Sequence, residues 1–550
     1  MFRVARIASF LVVALGGACT DGDLARDAGH GGHEELVACE EEHECHFLGA
    51  GAMCMGGRCM RMDPPPVVVV PPARDADVTL PLLTDTNPDP AVFEGKLVVT
   101  TAPLTIDEGV ATPAYVYRDG HALDRPATSP GPLIDVVEGT LVRITIENAL
   151  DEPTTVHWHG LVLPIEMDGV PDMPNPPIAS GESFTAEFIA RHPALYWYHP
   201  HVRSDVQNER GLHGAFVIRP STPDPVVVER VLVLDDILLT ADGAIEGPEE
   251  GSSHYVTDDG ELMMTFTGMM GRQGNRLLVN GVVHPRLAAR RGSVERWRIV
   301  NTANARFFRL ALDGHRFVQV GSDAGALAAP RVLDEILLAP SERIDVLVVV
   351  SGAPGAEVAL RTLPHDRGHT MADPEPYTVL TLALDDAERR VVVDTLPTLT
   401  SPVPALDEDL VPAHTITMGE ELVRGGRVGF SLNGELWPEV TPLSSTVGAL
   451  ETWEIVNDTH MEHPFHLHGT RFQVTSRGPN EGALVPVVER EWKDTVVVHA
   501  EETLRFVARF EPEFPGHWMF HCHIFEHTEG GMMGMVDVGA AGVPAHEASH

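Results

Sequence analysis

Basic residues are scarce in this chain: 39 Lys and Arg stand against 80 Asp and Glu, a formal charge of -41. Such a surface repels nucleic acid and anionic membranes and draws cations towards itself, which excludes nucleic-acid binding. Cysteine is scarcer still, with six in 550 residues, and four of them (Cys39, Cys45, Cys54 and Cys59) share one short stretch. Long apolar runs are missing beyond the N-terminal "IASFLVVAL", so no other segment is able to span a bilayer. Amphipathic helical periodicity is missing too. Short alternating bursts such as "TLVRITIEN", "ERWRIVN" and "LRFVARF" are instead punctuated by Gly, Pro and Asp. Together these features predict an all-β protein made of sandwiches.

The N-terminus is organised differently from the rest. "MFRVARIASFLVVALGGAC" has Arg3 and Arg6, an apolar run from Ile7 to Leu15 and small residues up to Cys19, the pattern of an export signal over residues 1–18. The ending "GGAC" resembles a bacterial lipoprotein cleavage site, so the expected location is the periplasm or cell surface, with a lipid anchor on Cys19. Residues 19–62 form a Cys-rich segment expected to be stapled by disulfides, because its cysteine spacings match no zinc finger and export favours oxidation. Residues 63–84, with "DPPPVVVVPP", read as a stiff extended spacer. This leaves Cys522 with an expected partner other than sulfur.

Length alone suggests about three or four domains, and an internal repeat narrows the count. "GTLVRITIEN", "GSVERWRIVN" and "GALETWEIVN" each join a glycine, eight residues of alternating strand and an asparagine. They start at Gly139, Gly292 and Gly448, 153 and 156 residues apart, the size of one sandwich with its loops. The expected domains are 85–222, 223–400 and 401–540, with 541–550 as a disordered tail.

The first and third repeats are each followed by an HxHG and later by another HxH, and the second by neither. Repeat one supplies His157 and His159 in "HWHG" and His199 and His201 in "YHPH". Repeat three supplies His463, His466 and His468 in "HPFHLHG" and His521 and His523 in "FHCH". A strand sends residues i and i+2 to one face, so each HxH offers two imidazoles side by side. Pseudo-twofold packing of domain one on domain three would gather four such pairs at one interdomain cluster.

Within "HCH" the same alternation sends Cys522 to the opposite face from His521 and His523. Pro200 and Thr154 stand where Cys522 and His463 stand, so domain three holds ligands that domain one lacks. Cys522 with His463, His527 and Met532 gives the His2Cys set with a weak thioether that marks a blue-copper electron-transfer centre. An electron arriving at Cys522 would pass through the backbone to the flanking histidines. Eight imidazoles suit three further coppers with open positions, a cluster that reduces dioxygen to two waters after four one-electron oxidations.

These motifs closely resemble the three-domain multicopper oxidases of the laccase type over roughly Asp85 to Val538, including "PGPLIDVVEGT" and "LLVNG". The resemblance implies three cupredoxin-like Greek-key sandwiches and four copper ions. It places type 2 copper on His157 and His466, the type 3 pair on His159, His199, His201, His468, His521 and His523, and type 1 copper on His463, Cys522, His527 and Met532. It also implies dioxygen as acceptor, with a phenol, aromatic amine or cuprous ion as reductant of a monomeric enzyme. Water formation needs protons. Asp168, nine residues after His159, matches the proton-relay Asp of bacterial members. On the other side Thr528 occupies the position where bacterial relatives carry a Glu, leaving Glu529 as candidate.

Three alternatives are weaker. A copper nitrite reductase needs fewer histidines, a non-catalytic relative would have lost ligands, and a copper-sequestering protein would consume no oxygen. Met263, Met264, Met269 and Met270 in "ELMMTFTGMM" are soft enough for cuprous ion, although filling an apolar gap is the more ordinary role of methionine. His30, His33, His43 and His46 read as solvated residues, and His192 and His213 lack ligand spacing.

Overall fold

Each copy of the Gly and Asn signature becomes the central strand of a sheet, and the reason is visible at both ends. Gly139, Gly292 and Gly448 turn the chain at φ of 87°, 74° and 76°, a left-handed conformation that glycine adopts without a Cβ penalty. The three asparagines close the strands alike. Asn148 Nδ2 donates to the carbonyls of Glu152 and Ile178, Asn301 to those of Arg306 and Leu338, and Asn457 to those of Met461, Val498 and His499. Each Oδ1 in turn accepts the backbone N–H two residues on, at Leu150, Ala303 and Thr459.

The computed structural model describes residues 52–55, 58–61, 65–222, 228–246, 254–256, 262–264, 266–369, 373–385, 403–406, 411–423 and 427–539. In all three sandwiches the signature strand lies between a parallel and an antiparallel neighbour. Leu141–Asn148 pairs with Val92–Leu104 and Ser183–Ile189, Val294–Asn301 with Val228–Ile237 and Arg343–Val349, and Glu451–Asn457 with His414–Val423 and Glu502–Ala508. Parallel pairing of an early strand with a later one demands a crossover, the Greek-key feature. The first sandwich faces two four-stranded sheets, the second a seven- and a six-stranded sheet, the third a six- and a five-stranded sheet.

One apolar core runs through the first and third sandwiches, from Trp158 and Phe216 to Trp453, Phe465 and Phe506. The second sandwich has its own core around Trp297, Phe308, Phe317 and Leu380. The apolar core is therefore continuous across the interface between sandwiches one and three.

Residues 65–84, expected as a free spacer, are strapped down. Val69 N–H donates to the Asn275 carbonyl, Arg74–Asp75 adds a parallel strand beside Pro285–Ala289, and Leu83 N–H donates to Leu133. Val68, Leu80 and Leu83 are buried. The reason is the alternation of valine and leucine with proline: an extended segment without helical propensity fits a sheet edge as readily as it crosses solvent. The expected signal, the anchor at Cys19, Cys39 and Cys45, and the tail lie outside the described residues. Arg58–Arg61 pairs with Ala52–Met55, with Cys54 opposite Cys59 in the backbone register.

Candidate metal centre

The two histidine-bearing sandwiches present their pairs in matching registers. His157–His159 runs antiparallel to Ala194–His199, with His157 opposite His199. His463–Leu467 runs antiparallel to Gly516–Cys522, with His466 opposite His521 and Phe465 opposite Cys522. Parity along these strands sends His466 and His521 to one face and His463 and Cys522 to the other.

On the first face eight imidazoles converge, all buried. Rings from different sandwiches stack, His157 on His468 at 4.1 Å and His159 on His466 at 3.9 Å between centroids. Backbone carbonyls accept only, so they fix the tautomers. Nδ1–H donates from His157 to Asp168 O (2.7 Å), from His199 to Pro200 O (2.9 Å), from His466 to Asp494 O (2.8 Å) and from His521 to Cys522 O (2.7 Å). His468 Nδ1 donates to Asp168 Oδ2 (2.8 Å) and His159 Nε2 to Asp494 Oδ1 (3.2 Å). His201, His468 and His521 form one group able to hold an ion.

The opposite nitrogens then carry lone pairs that face one another in the buried interior. Nε2 of His157, His199 and His466 has no hydrogen-bond partner. His468 Nε2 faces His521 Nε2 at 3.1 Å, and His523 Nε2 faces His159 Nδ1 at 3.2 Å. In the His468–His521 pair both Nδ1–H groups are committed elsewhere, so two acceptor nitrogens face each other where a cation between them would satisfy both. Burial, reinforced by the neighbouring rings, lowers the pKa of His159, His199, His201, His466, His521 and His523 well below 6.5, keeping them neutral and ready as ligands.

On the other face Cys522 Sγ lies 3.5 Å from His463 Nδ1 and 3.6 Å from His527 Nδ1, and the two Nδ1 atoms are 3.2 Å apart. His463 Nε2 is held by Thr459 Oγ1 (2.9 Å) and His527 Nε2–H by the Met269 carbonyl (2.9 Å), so both Nδ1 lone pairs point at sulfur. Burial pushes the Cys522 thiol up and His463 down to about 3. Met532 is buried, and its carbonyl accepts the Cys522 N–H (3.1 Å). Cys522 Sγ and the two imidazoles form a group able to hold an ion, with the thiol and imidazole chemistry that suits copper.

Asp168 touches both His157 and His468. Burial alone would raise its carboxyl, but these two imidazoles hold it below the usual carboxylate range. Glu529 Oε1 accepts from Ser204 N–H and Oγ at 2.8 and 2.7 Å. Beside it Asp205 is pushed up to about 8 by burial and by the charges of Glu529 and Glu526. Of the four methionines, Met269 and Met270 are buried core residues, and the Met269 backbone carbonyl lies against His527 Nε2, a contact with no local signal in the residue pattern. The side chains of Met263 and Met264 lie outside the described set. His213 pairs with Asp235 at 3.5 Å, away from both groups.

Sequence reasoning missed Asp494, Arg343, Asp205 and the Glu462 group. Asp494 sits in "WKDTV" with no histidine at strand spacing, and its side-chain partners Arg343 and His159 lie 151 and 335 positions away. Glu462, adjacent to His463, takes hydrogen bonds from His365 (2.7 Å) and His499 (2.6 Å). Burial opposes its charge, but these bonds bring its pKa down to about 2.

A folded set of three sandwiches with one thiolate centre and an eight-imidazole cluster defines a blue-copper oxidase. Models of the multicopper oxidase family match residues 124–223, 249–362 and 409–542. The multicopper oxidase MmcO of Mycobacterium tuberculosis is 30% identical over 440 residues, covering 74% of this chain and 82% of that protein. A laccase of Bacillus subtilis is 30% identical over 422 residues, covering 70% and 79%. The solved multicopper oxidase of Campylobacter jejuni, described as a metallo-oxidase, superposes with a TM-score of 0.72 at 28% identity, covering 87% of this chain and 99% of that one. The chain belongs to the multicopper oxidases. It is a copper-dependent oxidoreductase that oxidises a reducing substrate and reduces dioxygen, and its cofactor is four copper ions of types 1, 2 and 3.

Proposed function

We propose that the reductant gives up its electrons beside His463 and His527 and that dioxygen is reduced to water within the eight-imidazole cluster. The observation that carries this reading is the pair of opposed lone-pair sets on the two faces of the strand ending in Cys522. In this reading His463, Cys522, His527 and Met532 hold type 1 copper, and His157 and His466 hold type 2. His159, His199, His201, His468, His521 and His523 hold the type 3 pair. Bound copper would supply one-electron redox chemistry and the affinity for dioxygen. The protein supplies the route: Cys522 is bonded through its backbone to His521 and His523, and His521 Nδ1 also donates to the Cys522 carbonyl.

We assign proton delivery to the Asp168 side of the cluster, where its carboxylate contacts His468 Nδ1 and its backbone carbonyl His157 Nδ1, so that it orients both rings on the path protons would take. Asp205, pushed up to about 8 beside Glu529, is a second group able to carry a proton. Asp168→Asn is expected to slow the dioxygen half-reaction at least about tenfold while reduction by substrate keeps its rate. Stopped flow separates the two, and equal slowing of both halves would remove Asp168 from the relay.

As reductant we favour cuprous ion. The Glu462, His365 and His499 group reaches the surface beside His463, Met269 backs His527, and the whole chain attracts cations. Phenols and aromatic amines are the second reading, supported by the laccases among the relatives. We further read the enzyme as an exported monomer of the periplasm or cell surface, anchored through lipid on Cys19, with domains at 85–222, 223–400 and 401–540. Oxygen uptake by the copper-loaded enzyme, with cuprous ion, substituted phenols and bilirubin in parallel, ranks the substrates. A protein that binds copper and consumes no oxygen with any of them would overturn the oxidase reading.

A further inference from the structure

Among the described residues the second sandwich contributes no imidazole to the cluster, yet one of its side chains reaches the cluster wall. Arg343 opens the strand Arg343–Val349 and is almost wholly buried. All five of its N–H donors are taken. Nη1 and Nη2 clasp Asp494 at Oδ1 (2.6 Å) and Oδ2 (2.5 Å), and also donate to the carbonyls of Ser341 (3.0 Å) and Asp323 (2.9 Å). Nε donates to the Leu195 carbonyl of the first sandwich (3.0 Å). One planar fork thus joins all three sandwiches, a geometry that a lysine cannot reproduce.

Asp494 passes that constraint to two imidazoles from different sandwiches. Its Oδ1 accepts from His159 Nε2 at 3.2 Å and its backbone carbonyl from His466 Nδ1 at 2.8 Å. The neighbouring Thr495 Oγ1 also donates to Oδ1 (3.0 Å). Room for the clasp comes from Gly160 of "HWHG". A Cβ there would sit 2.4 Å from Asp494 Oδ2 and 2.7 Å from Arg343 Nη2. Behind the fork Lys493 Nζ binds Asp323 (3.0 Å) and Glu342 (2.7 Å), and Asp323 Oδ1 accepts the Arg343 N–H (2.8 Å).

We infer that Arg343 is a positioning residue for the trinuclear centre. By clasping Asp494 it fixes the tautomer and ring orientation of His159 and His466, and this is how a sandwich without ligands governs dioxygen reduction. The fork also takes up the Asp494 charge. An unpaired carboxylate there would draw the His159 proton towards itself and alter how strongly that ring binds a metal. The inference rests on reading the eight imidazoles as the trinuclear site.

The test is Arg343→Met in the full-length protein, reconstituted with copper beside the wild type. Copper per chain, the blue absorption of type 1 copper, the paramagnetic resonance of type 2 copper and the rate of reoxidation by dioxygen are the readouts. The wild type must first show both copper classes; a wild type with blue copper alone would overturn the trinuclear reading itself. Given both classes, Arg343→Met is expected to keep the blue band and to bind type 2 copper about 10–100-fold more weakly, with reoxidation slowed in step. Arg343→Lys, one charged head in place of a fork, should recover part of each. Wild-type type 2 signal and reoxidation in Arg343→Met would overturn the inference, as would parallel loss of the blue band. If Arg343→Met is not recovered folded, the double variant Arg343→Gln with Asp494→Asn, which removes both charges together, decides by the same readouts: selective type 2 weakening supports the clasp, and full occupancy with normal reoxidation refutes it.

Discussion

Cys522 and its two neighbours occupy three consecutive positions and serve two centres, because a strand alternates its faces. The ring nitrogens of His521 and His523 meet cluster imidazoles, the Cys522 carbonyl and Thr528 Oγ1, and none meets sulfur. Cys522→Ser should therefore abolish the blue band and leave the trinuclear copper loaded, as copper counting and resonance spectra would show. Simultaneous loss of all copper would contradict the separation of faces. The buried imidazoles make a second prediction. Nine of them, including His463, His468 and His527, have folded-state pKa values depressed first by burial. In the unfolded chain they titrate near about 6.5. Below that pH the unfolded state binds more protons, so stability present above it is lost as pH falls towards the folded values. Each such group costs about 1.4 kcal/mol per pH unit. Copper-free protein should lose its urea midpoint steeply between about pH 6.5 and 5, and the copper-loaded protein should start from a higher midpoint and fall at least as steeply, because its liganded rings take up no proton in the folded state. The ligands were legible in the sequence because HxH spacing is local. Asp494 and Arg343 were not, because a carboxylate and a guanidinium in ordinary strand sequence acquire their meaning only from partners that the fold delivers.

At the level of elements, the Gly and Asn signature announced both the strands and their threefold repetition. Glycine at a left-handed turn and asparagine at a strand end are requirements of the backbone and do not depend on distant partners. What the pattern left hidden was the asparagine's task. Asn301 is buried, far from the copper ligands in sequence, and satisfies two carbonyls and one N–H. Asn301→Ala would strand those groups and should destabilise the second sandwich by about 3 kcal/mol, read as a lowered urea midpoint with an unchanged blue band. An unaltered midpoint would mean that water enters the corner and replaces the amide. The strap was misread at this scale for a physical reason: proline and valine favour an extended chain, and extension says nothing about whether a sheet edge waits beside it.

For the whole molecule, the strap sets the limit of truncation. Removing residues 1–64 leaves Val68, Leu80 and Leu83 in place, whereas removing 1–84 uncovers the surfaces they bury and deletes the strand Arg74–Asp75. The longer truncation should be less stable than the shorter by at least about 3 kcal/mol, measured by denaturant unfolding, with copper content per folded molecule equal. Equal stability would show that the strap covers its surfaces without holding them.

The same strap imposes an order on synthesis. It leaves the ribosome before any sandwich, yet its first seat, beside Asn275 and Pro285–Ala289, belongs to the second, whose six-stranded sheet is complete only with Tyr377–Leu384. At about 5–20 residues per second, roughly 300 residues of further elongation take about 15–60 s. For that interval the front of the strap waits without its partner while Leu80 and Leu83 already have the first sandwich to pack on, and any product that stops short of Leu384 carries Val68 and the strand Arg74–Asp75 beside an unfinished sheet.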